Sequence, residues 1–335
     1  MHKKIIIPIF IPHKGCPFDC IYCNQKSISG QIKDVTIDDV KSTIRAFKDT
    51  ISFDEIPEVA FYGGSFTGID MEEQTKFLEC VYDYIKKGEV SSIRLSTRPD
   101  YISHEILKNL KKYGVKTIEL GVQSLDDEVL RISHRGHTRE DVESAVRLVK
   151  EYGFNLGIQT MIGLPNDTKK KAIDTARKVV LLKPDFVRIY PTLVIKDTYL
   201  CKMLEEHKYK PLSLEDAVDI SASLYRIYMD NNIEVIRLGL QPTKNIEEGE
   251  DVRGGPFHPA FRQLVEARIL RDIIEIQIKE KDLSDSVDIY VGNCYVSSAV
   301  GQKKENIQYL KNKFGFKRVK IHGVEGQKFG LVLVG

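Results

Sequence analysis

Thr117-Ile118-Glu119-Leu120-Gly121-Val122-Gln123 is a run whose side chains sort into two sets. Successive side chains of a strand point to opposite faces, so Ile118, Leu120 and Val122 share one face and Thr117, Glu119, Gly121 and Gln123 the other. The split recurs in Ser92–Arg98 (Ile93, Leu95, Thr97 against Ser92, Arg94, Ser96, Arg98) and in Phe186–Thr192 (Val187, Ile189 against Arg188, Tyr190, Thr192). Ile233–Gln241 gives Ile236, Leu238, Leu240 against Arg237, Gly239, Gln241. Further strand-like runs are Ile5–Ile11, Glu58–Gly64 and Gly157–Gly163, and amphipathic stretches such as Glu140–Tyr152 and Leu214–Met229 separate the runs. This βα alternation predicts an α/β fold with a parallel sheet or barrel. If the apolar faces pack on the helices, the polar, glycine-containing faces look inward. A closed eight-stranded barrel fills its interior with branched apolar side chains, so the pattern predicts an open barrel with a wet, roomy lumen.

Ahead of the second run stands Cys16-Pro-Phe-Asp-Cys20-Ile-Tyr-Cys23. Three thiolates at this spacing can each bind a different iron of one cubic cluster and leave the fourth iron without a protein ligand. Cubes that only carry electrons are usually closed by four cysteines, whereas an open metal position accepts a substrate or cosubstrate. The alternative is a zinc knot, with His13 as a fourth ligand of the kind zinc accepts. That would make the chain a zinc-stabilised nucleic-acid-binding module. Cys80, Cys201 and Cys294 are far apart in sequence and read as ordinary buried thiols.

The Cys-x3-Cys-x2-Cys loop, with Tyr22 before its last cysteine, resembles the signature of radical S-adenosylmethionine enzymes. The resemblance extends to the Elongator-catalytic-subunit and oxygen-independent coproporphyrinogen-oxidase branch. It is carried by Gly63-Gly64-Ser65, Ser96-Thr97-Arg98-Pro99-Asp100, Gly121-Val122-Gln123-Ser124, Arg135-Gly136-His137, and Gln159 with Gly163-Leu164-Pro165, in that order. It implies a partial (open) TIM-type βα barrel over residues 1-241, a [4Fe-4S] cluster on Cys16, Cys20 and Cys23, and S-adenosyl-L-methionine on the open iron, cleaved to a 5'-deoxyadenosyl radical. The implied cofactor-binding residues are Tyr22, Gly63, Gly64, Ser65, Ser96, Arg98, Gln123, Arg135 and Gln159. In that reading the glycine pair meets the methionine amino group, Gln123 and Gln159 the ribose or adenine, and Arg135 the carboxylate, which a guanidinium fork holds bidentately. Ser96 departs from the glutamate those relatives usually have, and Gln159 from the aspartate sometimes found at the fifth strand.

Substrate contacts are expected from the inward face, Tyr62, Arg188, Tyr190, Thr192, Arg237 and Gln241, with an acid from Glu247–Asp251. Phe257 and His258 in Gly254-Gly255-Pro256-Phe257-His258-Pro259 can close over a planar ligand, or can anchor the C-terminal segment to the barrel. The resemblance reaches small Elongator-like proteins without an acetyltransferase domain and, among proteins of similar size, a queuine lyase. The expected reaction is therefore C–N cleavage of queuine to 7-aminomethyl-7-deazaguanine, a lyase reaction on a free modified nucleobase in 7-deazaguanine salvage. The alternative is radical modification of a base in transfer RNA.

The formal net charge of +2 favours the small substrate. The local exception is Lys303–Lys320, where Lys303, Lys304, Lys311, Lys313, Lys317, Arg318 and Lys320 face one acid, Glu305. This is either a solvated face or a phosphate footprint. Residues 242-335 read as a small α/β extension, a substrate cover or partner surface: helix Arg262–Lys279, a strand near Val287–Val291, helix Lys304–Phe314, and strands Arg318–His322 and Phe329–Val334. The apolar Ile5–Ile11 is too short for a membrane span and holds Pro8. No membrane partner is expected; a cytoplasmic enzyme supplied with electrons by a flavodoxin or ferredoxin is.

Overall fold

The computed structural model describes residues 5–11, 16, 20–24, 35–49, 56–240, 251–281 and 285–335. In chain order its strands are β1 (Ile6–Ile11), β2 (Glu58–Gly63), β3 (Ser92–Thr97), β4 (Val115–Gln123), β5 (Asn155–Ile162), β6 (Phe186–Pro191), β7 (Val194–Ile195), β8 (Glu234–Leu238), β9 (Val252–Gly254), β10 (Ser286–Gly292), β11 (Arg318–Val324) and β12 (Leu333–Val334). One sheet of seven strands runs β1-β2-β3-β4-β5-β6-β8 with every neighbouring pair parallel. Its end strands β1 and β8 do not pair, so the sheet is an open partial barrel.

The helices between β1 and β8 start on side-chain caps and bury one apolar stripe, as helix Arg139–Glu151 shows. Thr138 accepts from the Asp141 amide while Asp141 returns a bond to the Thr138 backbone, a capping box that opens helix Arg139–Glu151. Val142, Ala145, Val146 and Val149 then line one side of that helix, at the spacing that places residues on one face. They share the main core with Ile118, Leu120, Leu156 and Ile158, the apolar faces of β4 and β5.

Helix Phe261–Lys279 joins two cores. Phe261, Val265 and Ile269 belong to the barrel core, whereas Leu270, Ile274 and Ile278 pack with Val287, Ile289 and Val291 of β10. There β10 pairs parallel with β11 and antiparallel with β12. A two-stranded antiparallel ladder, β7 with β9, ties the chain after β6 to the segment before that helix; nothing in the sequence pattern had marked it.

Candidate active site

Cys20 and Cys23 are held by the turn that carries them. Cys23 N–H donates to Cys20 O at 2.9 Å, Ile21 N–H to Ser133 O at 3.3 Å, and Leu200 N–H to Ile21 O at 2.7 Å. The turn is thus clamped between the end of helix Asp127–Ile132 and the start of helix Tyr199–Glu205. Ile21 and Tyr22 pack with Val194, Leu200 and Cys201. Cys16 is within electrostatic reach of Cys20, Arg135 and Arg98, and takes a hydrogen bond from the Ser65 backbone. The three thiols and the Gly63-Gly64-Ser65 turn therefore meet at one end of the sheet. Among the described residues no three His, Cys, Asp or Glu side chains close on a single ion; a cubic cluster instead takes each thiolate on a separate iron.

The turn after β2 has the backbone that only glycine adopts freely. Gly63 has φ +106°, and a Cβ there would lie 3.1 Å from Ile11 O. Gly64 N–H donates to that same carbonyl at 2.8 Å. Ser65 Oγ meets Thr97 Oγ1 at 2.9 Å and accepts from Arg98 N–H at 3.2 Å, so its hydroxyl locks this turn to the end of β3. Arg98 forms a two-pronged pair with Asp100, at 3.0 and 2.8 Å.

Gln123 ends β4 at φ +65°, left-handed for a non-glycine residue, across a register shift opposite β5. Such conformations concentrate at functional sites. Arg135, buried, reaches over it: Nη2 donates to Gly121 O at 2.6 Å and Nη1 to Cys20 Sγ at 3.3 Å. A Cβ on Gly121 would sit 3.2 Å from Gln123 Nε2 and 3.3 Å from Arg135 Nη2, so the glycine gives these two side chains room. His137 stands behind them, its Nε2 3.2 Å from Val122 O. Burial, then the Arg135 charge, depresses the His137 imidazole to about 4, so it is neutral at physiological pH.

Toward the other end of the sheet the inward face is polar as the alternation predicts, and its charged groups pair with one another. Glu119, fully buried, is the centre. Arg188 Nε lies 2.6 Å from Glu119 Oε2, Arg94 Nη1 3.2 Å from Oε1, Gln159 Nε2 donates to Oε2 at 3.0 Å, and the Tyr62 hydroxyl donates to Oε1 at 3.3 Å. Arg94 also binds Glu58 at 2.9 Å, and Arg188 donates to the Tyr62 hydroxyl at 3.0 Å. Burial alone would raise the Glu119 carboxyl; Arg188, Gln159 and Arg94 outweigh it and hold it below the usual carboxylate range. Gln159 also donates to Ser96 Oγ at 3.2 Å, so both of its amide hydrogens are used and its carbonyl is left to accept. Glu119, Glu58 and Arg94 were assigned no role in the site from sequence, although Glu119 and Arg94 fall on the inward face there.

Of the expected substrate residues, Tyr62 and Arg188 are members of this network and Tyr190 lies within reach of the Arg188 and Arg237 charges. Thr192 is buried and donates its hydroxyl to Ile162 O at 2.8 Å. Phe257 packs with Leu193, Ile195 and Val252. His258 Nδ1 accepts from Ala260 N–H at 3.0 Å, just before helix Phe261–Lys279. Gln241 and 247–250 lie outside the described residues, as does His13. Of the other cysteines Cys80 and Cys201 are buried as expected, but Cys294, in the short helical turn after β10, is exposed.

The Radical SAM superfamily model matches residues 10–179 and the Radical_SAM C-terminal domain model residues 184–271, and the chain belongs to the radical SAM superfamily. The tRNA uridine(34) acetyltransferase of Methanocaldococcus jannaschii is 32% identical over 183 residues, 49% of this chain and 34% of that protein. Elongator complex protein 3 of Homo sapiens is 28% identical over 214 residues, 55% of this chain and 39% of that protein. The chain thus spans well under two thirds of these relatives' length. The solved structure of the Methanocaldococcus infernus Elp3 with an N-terminal deletion superposes with a TM-score of 0.63 at 20% identity, covering 80% of this chain and 63% of that one, which shows a shared fold.

The chain is therefore a radical SAM enzyme with a [4Fe-4S] cluster and S-adenosylmethionine as cofactors. The residues present fit both. Among the described residues Gln123 Oε1, Arg135 Nε and the Tyr22 hydroxyl are buried without a hydrogen-bond partner, and Arg135 already touches a cysteine sulfur. Buried polar groups are rarely left unsatisfied, so these atoms are in place for a polar ligand beside the thiolates. When bound, the pair supplies one-electron cleavage of the sulfonium and a carbon radical; the protein orients the reactants and excludes water.

Proposed function

We propose that this enzyme modifies a base of transfer RNA by radical chemistry. The observation that carries the reading is the 32% identity to a tRNA uridine(34) acetyltransferase over 183 residues. It favours the transfer RNA alternative over cleavage of free queuine, and the lyase assignment gives way with it. The match covers only 34% of that relative, so the reading concerns the radical step and not acetyl transfer.

In this reading Cys16, Cys20 and Cys23 hold the cluster. Gly63, Gly64, Ser65, Gln123 and Arg135 hold S-adenosylmethionine, and the Gln159 carbonyl accepts from its ribose or adenine. Tyr22, Ser96 and Arg98 support that site, Ser96 by fixing Gln159 and Arg98 by placing positive charge near Cys16. Tyr190 and Arg237, next to the ion-pair network, meet the substrate. Residues 1-241 form the catalytic unit and 242-335 the substrate side, joined by helix Phe261–Lys279.

The test incubates anaerobically reconstituted protein with reductant and S-adenosylmethionine, adding unfractionated transfer RNA in one arm and queuine in the other, and reads both by mass spectrometry. A new nucleoside in digested transfer RNA, formed alongside 5'-deoxyadenosine, is expected. Release of 7-aminomethyl-7-deazaguanine from queuine with transfer RNA unchanged would reject the proposal in favour of the lyase.

A further inference from the structure

The first strand carries a side chain to which the site above gives no part. Ile7, Ile9 and Ile11 of β1 share the main core with Val40 and Ile44 of helix Ile37–Lys48, so Ile6, Pro8 and Phe10 lie on the opposite, inward face. The register agrees: Phe10 pairs with Tyr62, whose hydroxyl belongs to the Glu119 network. Phe10 is 37% exposed, whereas Ile9 and Ile11 on either side of it are 4% and 3%. Among the described residues no other large apolar side chain of the seven-stranded sheet is exposed. A lone apolar residue open on an outer surface is ordinary. This one is open on the inner face of a catalytic barrel.

The ring has a fixed neighbour. Its centroid is 6.2 Å from that of Tyr62, and the two planes meet at 45°. Tyr62 is held in turn, its hydroxyl between Glu119 and Arg188 and its ring centroid 5.4 Å from the Arg188 guanidinium. Ile11, the next residue after Phe10, accepts from Gly64 N–H at 2.8 Å, so the ring stands beside the Gly63-Gly64 turn at the cluster end. β1 is also an end strand of the sheet, unpaired with β8, and that puts Phe10 at the open side of the barrel.

An open aromatic face next to hydrogen-bonding groups is complementary to a planar heterocycle, which presents an apolar face and a polar edge. Stacking on an aromatic ring is also the sequence-tolerant contact by which unpaired bases are held. We propose that Phe10 is the stacking platform for the base that the radical attacks, with Tyr62 as its rigid support. The inference rests on the substrate being a base, as in the transfer RNA reading, and adds the residue that holds it. A base in transfer RNA and a free base such as queuine offer the same face, and the experiment separates them.

The chain has no tryptophan, so Phe10→Trp gives the full chain a single reporter at this position. The reconstituted variant, with S-adenosylmethionine but no reductant, is titrated with unfractionated transfer RNA in one arm and queuine in the other. Saturable quenching of its emission is expected from the base that stacks. In turnover, Phe10→Leu, apolar but without a ring face, should raise KM about tenfold with kcat within about twofold, the sign of a lost binding contact. Phe10→Tyr, which keeps the ring, should restore KM to within about twofold of wild type. Quenching by queuine alone would keep the platform and move the substrate reading to the free base. If wild type turns over a substrate that leaves the reporter unquenched, or Phe10→Leu keeps the wild-type KM, the platform is wrong and the substrate reading stands. If wild type turns over neither substrate, both fall. If Phe10→Leu instead weakens S-adenosylmethionine binding at an unchanged substrate KM, the ring serves the cofactor and the inference is overturned.

Discussion

Glu119→Gln preserves the shape of one side chain and removes a single charge from the middle of the barrel. In the native protein Glu58 and Glu119 balance Arg94 and Arg188, all four buried, with Arg188 2.6 Å and Arg94 3.2 Å from Glu119. The variant leaves Arg94 its bond to Glu58 at 2.9 Å but strips Arg188 of its carboxylate. Breaking a buried pair by removing one partner costs about 3–5 kcal/mol, because the remaining ion keeps its desolvation penalty. The lower end applies here, since glutamine still accepts a hydrogen bond and the Tyr62 hydroxyl stays 3.0 Å from Arg188. Arg188→Met in the same background removes the stranded charge, so the double variant should lose about 2 kcal/mol less than the sum of the singles. With no tryptophan in the chain, urea unfolding is best followed by the helical circular dichroism signal. A loss under about 1 kcal/mol for Glu119→Gln, or strict additivity of the pair, would refute the reasoning that this network is a single electrostatic unit.

Arg135→Ala should reduce S-adenosylmethionine affinity by roughly 10- to 100-fold, the worth of a charge-assisted hydrogen bond of about 1.5–3 kcal/mol, while iron content is unchanged; calorimetric titration giving wild-type affinity would remove Arg135 from the site. His137 predicts a pH effect. Its imidazole is depressed from 6.5 to about 4 in the folded chain, so the unfolded state binds a proton first as pH falls. Its contribution is intact above 6.5 and declines between 6.5 and 4, by up to about 3 kcal/mol. His137→Gln should flatten that part of the stability profile, and an unaltered slope between the two proteins would contradict the assignment.

The strands were legible because each is a short two-faced run between helices with a single apolar stripe. β4 begins two residues earlier than the run Thr117–Gln123, since Val115 extends the buried face. β8 stops at Leu238, short of the expected Gln241, where Gly239 turns at φ +76° while donating to Ile189 O at 3.0 Å. The last strand is only Leu333–Val334, because Gly330, at φ +82°, turns just before it. The cysteine loop and the strand-end motifs were legible as local words. The ion-pair network was not. Which inward group meets which depends on inter-strand register, and Arg188 and Tyr62 are 126 residues apart. Polar alternation announces that charges face inward; it does not say that they neutralise one another.

The most direct test of the central claim, that Cys16, Cys20 and Cys23 hold a cluster with one iron open to S-adenosylmethionine, is electron paramagnetic resonance of the anaerobically reconstituted, reduced protein before and after the cofactor is added. The account predicts a cluster signal that changes on adding S-adenosylmethionine, with 5'-deoxyadenosine released, and loss of both when any of the three cysteines is replaced by alanine. A colourless protein that retains one zinc per chain, or a signal indifferent to the cofactor, would contradict it.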